Sequence, residues 1–320
     1  MRSLGLFLRI AVSAVLLYWV LSQVDLAGLG RMVMETHPAP LLLALLLYFA
    51  GVIVVGAVRW RLLLVSQGVP APFGYLVQSY MVATFFNNVL PTNIGGDVFR
   101  IKDAAHYTHS KTLSSAIIFV DRLIGFAGLF ALALGAVVFG GQVIQALPGL
   151  NWLWFGLVGI CGILLVVLAA PEVVEWGLKP LHRLSSTWIT ERVGVVTSAL
   201  FQFRRQTPAL VKALAISLVI QGSIVFFYFL IARAMSIPLP LDYCFLVTPL
   251  VLVAQLFPSI NGFGVRESAF VFFFRTIDLT GEQAVSLSFV STGVIILLSL
   301  LGGLVYATRK SSNEIRLDNH

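Results

Sequence analysis

The sequence predicts an all-α polytopic membrane protein, with about six full transmembrane helices plus two inverted re-entrant broken-helix hairpins. Three observations predict it. The chain of 320 residues is 58% hydrophobic and 11% charged, with a mean hydropathy of +0.95, where soluble domains carry ~25% charge. Several apolar runs reach the ~20 residues that a helix needs to cross hydrocarbon. Lysine and arginine are distributed very unevenly between the connections.

Uninterrupted spans are expected at 4–22, 39–58, 113–140, 152–170, 209–232 and 283–307. The first follows Arg2 and contains Arg9. No small-x-small cleavage pattern follows it, so it reads as a retained anchor. The stretches 73–110 and 242–280 are apolar but broken in the middle by proline, glycine and charge, and read as hairpins that enter and leave on one side. The connection 171–208 mixes tryptophan, apolar and basic residues, the composition of an amphipathic segment on the cytoplasmic interface. Residues 1–310 then form a single transmembrane domain, with inverted halves at about 39–140 and 209–307 joined by 171–208, and 311–320 form a polar tail.

Charge supports this arrangement. With both broken stretches re-entrant, 16 of the 21 Lys and Arg fall on one side, among them Arg59, Arg61, Arg100, Lys111 and Arg309. Only Arg31 and Arg233 lie opposite, while Arg122, Arg266 and Arg275 fall within or beside the membrane segments. The positive-inside rule makes the rich side cytoplasmic, both termini included, in a multi-pass protein of the cell (inner) membrane. Full crossings would put 171–208 outside, and the bias would largely collapse. The net charge of +7 is thereby explained by membrane flanks, and no nucleic acid is expected as a partner.

The broken stretches carry related motifs, NVLPTNIGGDVFR and QLFPSINGFGVRE. Pro91 matches Pro258, and Gly95 and Gly96 match Gly262 and Gly264. Arg100 and Arg266 come soon after. Proline ends a helix and glycine lets the chain turn and be approached closely. Unwound backbone at membrane depth is tolerated only where protein or a watery cavity satisfies it. By the charge count the two copies enter from opposite sides, the pattern of inverted repeats. The helices starting near Gly96 and Gly264 then point their amides inward, and with Arg100 and Arg266 they suit an anionic headgroup. The competing reading is a pair of plain turns, which would not need Asp97, Arg100, Arg266 and Glu267.

Asp121 and Arg122 lie inside the span 113–140, where ionisable groups are paired or functional. Neighbours on a helix do not face each other, so each should pair elsewhere: Asp121 with Arg100 or Arg266, Arg122 with Asp97 or Glu267. A structural ion pair locking the bundle and a lipid or gating role both fit. Asn87, Asn88, Asn93 and Asn261 either contact a headgroup or cap the half-helices. Gln221 and Gln255 read as interhelical hydrogen-bonders. Trp19, Trp60, Trp152 and Trp154 read as interface anchors, and Cys161 and Cys244 as packing residues. His106 and His109 have no matching ligand set, so no metal is expected, and no cofactor. Walker A, G-x-S-x-G and H-E-x-x-H patterns are missing, so no catalytic activity is expected.

The runs NNVLPTNIGGDVFR, SSAIIFVDRLIGF and FPSINGFGVRESAF together resemble the flippase-like family, also called the lysylphosphatidylglycerol synthase transmembrane region. The likeness covers roughly residues 5–308. It implies a domain that moves a lipid between leaflets; larger members carry a fused synthase domain that this chain lacks. Stand-alone members are associated with isoprenoid-type lipids such as hopanoids or polyprenyl-linked sugars. The expected function is therefore a lipid flippase or transporter for an anionic or lipid-linked amphiphile, with a membrane lipid as partner. The alternative is a membrane enzyme, or a scaffold for enzymes of lipid synthesis.

Overall fold

A computed structural model describes residues 34–90, 95–139, 151–169, 206–255 and 262–317, with Tyr18, Phe201 and Phe203. The rest of the expected span 4–22, most of 171–208, residues 318–320 and the motif residues Pro91, Asn93, Pro258 and Asn261 lie outside the described residues.

All the described secondary structure is helical. Helix α1 is Pro38–Ser66, opened by a proline at its first position, where the missing N–H costs nothing. It carries a π-helical stretch at Phe49–Val54. The first hairpin is α2, Phe73–Val89, and α3, Gly95–Thr108. Then come α4, Lys111–Phe139, and α5, Asn151–Ala169. Helix α6 is Thr207–Ala234. The second hairpin is α7, Leu241–Ala254, and α8, Val265–Phe274, ending in a 3-10 turn at Arg275–Ile277. Helix α9 is Gly281–Leu317.

Among the described residues, α1, α4, α6 and α9 are long and apolar enough to cross a membrane. Helix α5 stands where the span 152–170 is expected. The hairpin limbs α2 and α3, at 17 and 14 residues, rise only ~25 and ~21 Å, short of the ~30 Å hydrocarbon. Their open ends lie side by side, with the Tyr75 and Tyr107 rings 5.3 Å apart. The second hairpin closes in the same way, where the Tyr243 hydroxyl donates to the Phe273 carbonyl at 2.5 Å. Both stretches therefore return to the end from which they started.

One hydrogen bond sets their relative direction. The His37 N–H, just before α1, donates to the Ala234 carbonyl at the end of α6, at 2.7 Å. The start of α1 and the end of α6 thus share one end of the bundle. Hairpin one begins after the far end of α1, and hairpin two begins after α6. They insert from opposite ends.

Packing repeats this relation. Limb α2 packs on α9 and limb α7 packs on α4, while α3 packs on α4 and α8 on α9. Helices α1 and α6 pack on each other between them. Small residues allow the close approach: a Cβ on Gly51 would overlap Ser223 of α6, and one on Gly56 would come within 2.7 Å of the Tyr80 ring. Large apolar side chains remain exposed on α1 (Leu42, Leu43, Leu46) and α9 (Leu297, Leu300, Leu304). Facing lipid tails, they have nothing to gain from burial.

Trp60 departs from its expected place at the interface, with 0% exposure. Its ring lies 4.6 Å beneath the Arg100 guanidinium, so it serves as a face for a buried cation. The side chains of Trp19, Trp152 and Trp154 lie outside the described residues.

Candidate functional site

The site is built from the tip of the first hairpin. Helix α3 begins at Gly95, leaving early N–H groups without partners inside the helix. The Asn87 side chain, in the last turn of α2, accepts the Gly96 N–H at 2.8 Å and closes the tip. No side chain fits at Gly96, because a Cβ would overlap the Ala83 carbonyl oxygen and lie 2.8 Å from Asn87 Oδ1. Asn88 instead donates back to Thr84 of its own helix at 3.2 Å.

Asp97 follows in the first turn of α3, where a carboxylate suits the positive helix end. It accepts a hydrogen bond from Arg122 Nε of α4. One turn on, Arg100 Nη1 stands 3.6 Å from Asp97, and Arg100 Nη2 donates to Asp121 Oδ2 at 2.8 Å. The other Asp121 oxygen accepts from Arg59 Nε at 2.7 Å. Arg59 Nη1 donates to the Ser217 hydroxyl of α6 at 3.1 Å, and that hydroxyl donates to the Ile124 carbonyl at 3.1 Å. Charges of alternating sign thus run from α3 through α4 to α1. Arg59, Asp97, Arg100 and Asp121 are each 6% exposed or less.

Position along the span makes this unusual. Asp121 follows Lys111, the first residue of α4, by ten positions, a rise of ~15 Å and about half of a ~30 Å hydrocarbon layer. A cavity of about 310 Å³ opens beside the chain of charges. Helix α2 contributes Tyr80, Ala83, Thr84 and Asn87 to its wall, α4 contributes Gly125, Phe126 and Leu129, α6 contributes Gln221 and Ile224, and α7 contributes Leu252. Arg59, Asp97, Arg100, Asp121 and Arg122 complete the lining. The Arg122 side chain is 30% exposed, against 1% for Asp121, so the charges run from a half-open edge to a sealed floor.

The second motif folds differently. Gly264 caps α8 with φ of 81°, in the left-handed region that favours glycine, and Gly262 has φ of 77°. The Gly264 N–H donates to Glu267 Oε2 at 2.6 Å. Glu267 Oε1 accepts from Arg266 Nη2 at 2.9 Å and from the Ser288 hydroxyl of α9 at 2.6 Å. Arg266 and Glu267 are 4% and 0% exposed and do not line the cavity.

The structure therefore brings Asn87, Asp97, Arg100, Asp121 and Arg122 onto one cavity, with Gly96 at its hairpin tip, and places Gly262, Gly264, Arg266 and Glu267 in a separate closed cluster. Asp121 takes Arg100 as its partner and Arg122 takes Asp97. Arg266 and Glu267 do pair although adjacent, because both side chains lean onto Ser288. Gly95 packs near Leu90. Arg59, read from the sequence as a cytoplasmic flanking charge, is instead buried; Arg61, two residues on, is exposed. A signal for this exists in Leu62–Val65, which continue the apolar run past both arginines and carry α1 to Ser66. Tyr80 and Leu252 lie in apolar helical runs outside the broken motifs, with no positional mark to single them out.

The family model described as "Lysylphosphatidylglycerol synthase TM region" matches residues 6–303, and the chain belongs to that family. No curated protein matches it. Membership makes this a multi-pass membrane protein tied to lipid metabolism or transport.

Proposed function

We propose that this family member is a lipid flippase or transporter that passes the headgroup of an anionic or lipid-linked amphiphile through the cavity while its tails stay in lipid. The observation that carries the reading is the set of ion pairs lining a cavity about ten residues into α4. An ionisable side chain at the centre of a bilayer costs about 2.5–3.5 kcal/mol or more to insert. Plain packing would be served better by apolar side chains of similar volume. Charges kept beside open space instead give a headgroup partners at the depth where its desolvation is most unfavourable.

In this reading the protein lies in the cell membrane with both termini cytoplasmic, and the first hairpin enters from the cytoplasm. Arg100 holds the negative headgroup by sharing with it the donors now turned to Asp97 and Asp121. With no Walker A loop, movement is downhill or coupled to an ion, and Asp97, Asp121 and Glu267 are the candidate proton carriers. The lining groups bind and do not catalyse.

The test is reconstitution into liposomes with fluorescent phospholipids, followed by chemical quenching of the outer leaflet. Protein-dependent loss of the protected inner-leaflet signal, reduced in Arg100→Lys, supports the reading. Protein-containing vesicles that keep the protected fraction of empty ones refute it and favour the enzyme or scaffold alternative.

A further inference from the structure

We propose that the π-helical stretch of α1 is a register switch: it holds one spare residue, and its tightening to α-helix turns the second half of α1 by one residue and withdraws Arg59 from Asp121. The proposal concerns how the chain of charges is controlled and goes beyond the lipid-handling reading of the cavity. The stretch is Phe49–Val54, and at its end the Val55 N–H reaches back five residues to the Ala50 carbonyl. A continuous α-helix reaches back four. Such π turns occur in short pieces inside α-helices, frequently at functional sites.

The spare residue shows in the faces of α1. Residues eleven apart on an α-helix lie within ~20° of one another, at ~100° per residue. Leu46 is 53% exposed, so an uninterrupted helix would turn Ala57 outward as well. Instead Ala57 is 0% exposed and Val58, one residue on, is 41% exposed. The half of α1 beyond the stretch is thus turned by about one residue. That turn presents Arg59 Nε to Asp121 Oδ1 at 2.7 Å and places the Trp60 ring 4.6 Å beneath the Arg100 guanidinium.

The half before the stretch is tied to α6 by the His37 hydrogen bond to Ala234 and by the Tyr48 ring, 5.1 Å from that of Phe227. Within the stretch, α1 meets α6 through Gly51, which lies against Ser223 with no side chain to interlock. In the tightened register Arg59, eleven positions after Tyr48, turns to the face that packs on α6. A buried cation needs a partner there. Ser217 of α6 already accepts from Arg59 Nη1 at 3.1 Å, so that contact is kept while Asp121 is given up. Asp121 is then left to Arg100, and Arg100 loses the ring beneath it. One rotation thus alters two of the groups that hold Arg100.

Deletion of Ala50, an exposed residue of the stretch, tests the switch. Leu46 and Val58 then stand eleven apart, so a plain α-helix keeps the present faces of both halves and has nothing left to tighten. The first readout uses the full chain with Ala50 in place, lacking Cys161 and Cys244, with spin labels on Val58→Cys and Leu300→Cys, both exposed positions. A point on the helix surface, ~5–6 Å from the axis, moves ~8 Å in a turn of ~100°. Pulsed electron resonance in lipid nanodiscs should give two distances in this protein and one after deletion of Ala50. Thermal unfolding should place the Ala50 deletion within about 2 °C of its parent. Deletion of Val219, an exposed residue of the uninterrupted α6, should lower Tm by more than about 10 °C. A single distance with Ala50 in place, or an Ala50 deletion that unfolds as readily as the Val219 deletion, overturns the proposal. In liposomes, loss of scrambling on deletion of Ala50 supports the switch, and unchanged scrambling overturns it. Two distances in a protein that scrambles no lipid remove transport and keep the switch.

Discussion

Asp121→Ala tests the chain of charges most directly. Asp121 is 1% exposed and takes Arg59 Nε at 2.7 Å and Arg100 Nη2 at 2.8 Å. Its removal strands two buried cations at once. Breaking a buried pair from one side costs about 3–5 kcal/mol. Arg59 keeps Ser217 at 3.1 Å and Arg100 keeps Asp97 at 3.6 Å, so the lower part of that range, about 3 kcal/mol, applies. At ~2–4 °C per kcal/mol for a chain of a few hundred residues, Tm should fall by roughly 6–12 °C. Arg59→Met should cost less, about 1.5–3 kcal/mol, because Asp121 retains Arg100. The double variant should lose clearly less than the sum, since removing Asp121 already breaks the bond to Arg59. Thermal unfolding of the four proteins in one detergent gives these values. A fall below about 1 kcal/mol for Asp121→Ala, or strict additivity in the cycle, would show that the pairs do not hold the bundle and that the reasoning from their geometry is wrong.

Gly96→Val should separate the limbs of the first hairpin and abolish scrambling, because a Cβ there overlaps the Ala83 carbonyl; Gly159→Ala, with open space at its Cβ, should leave yield and scrambling unchanged in the same assay. Gly264→Ala should destabilise by about 1–2 kcal/mol through its φ of 81°, read as a shift in thermal unfolding with headgroup binding at the first hairpin retained. Single cysteines at Gly68 and Lys111 should be labelled from the cytoplasmic side, and those at Arg233 and Gln283 from the other, in a protein lacking Cys161 and Cys244; labelling of either pair from both sides would refute the re-entrant arrangement.

The hairpins were legible because each breaks an apolar run with proline, paired glycines and charge, and no soluble loop needs that combination. Four of the expected spans, 39–58, 113–140, 209–232 and 283–307, were legible from length and apolar composition. Two features were not. Arg59 sits where an apolar run meets a basic doublet, Arg59 and Arg61, and charge counting treats both as flanking residues. Only the three-dimensional path of α1, which keeps Arg59 against Asp121 and turns Arg61 outward, tells them apart. The division of the two motifs into an open and a closed cluster was also invisible. Both present an acidic residue in the first turn of the second limb and an arginine close by, so the sequence treats them as equivalents.

Their difference lies in where each arginine finds its partners. Arg266 is satisfied by Glu267 on its own helix and Ser288 on the adjoining span, and Glu267 in turn holds the Gly264 amide. Both side chains of that cluster are buried, at 4% and 0% exposure, and neither lines the cavity. Arg100 instead depends on Asp121 from another helix and shares that carboxylate with Arg59 from a third. In the proposed reading, a network spread over three helices exchanges one partner for a headgroup and still holds together through the others. The same motif chemistry therefore ties one hairpin to its neighbouring span and joins the other to two further helices beside a cavity.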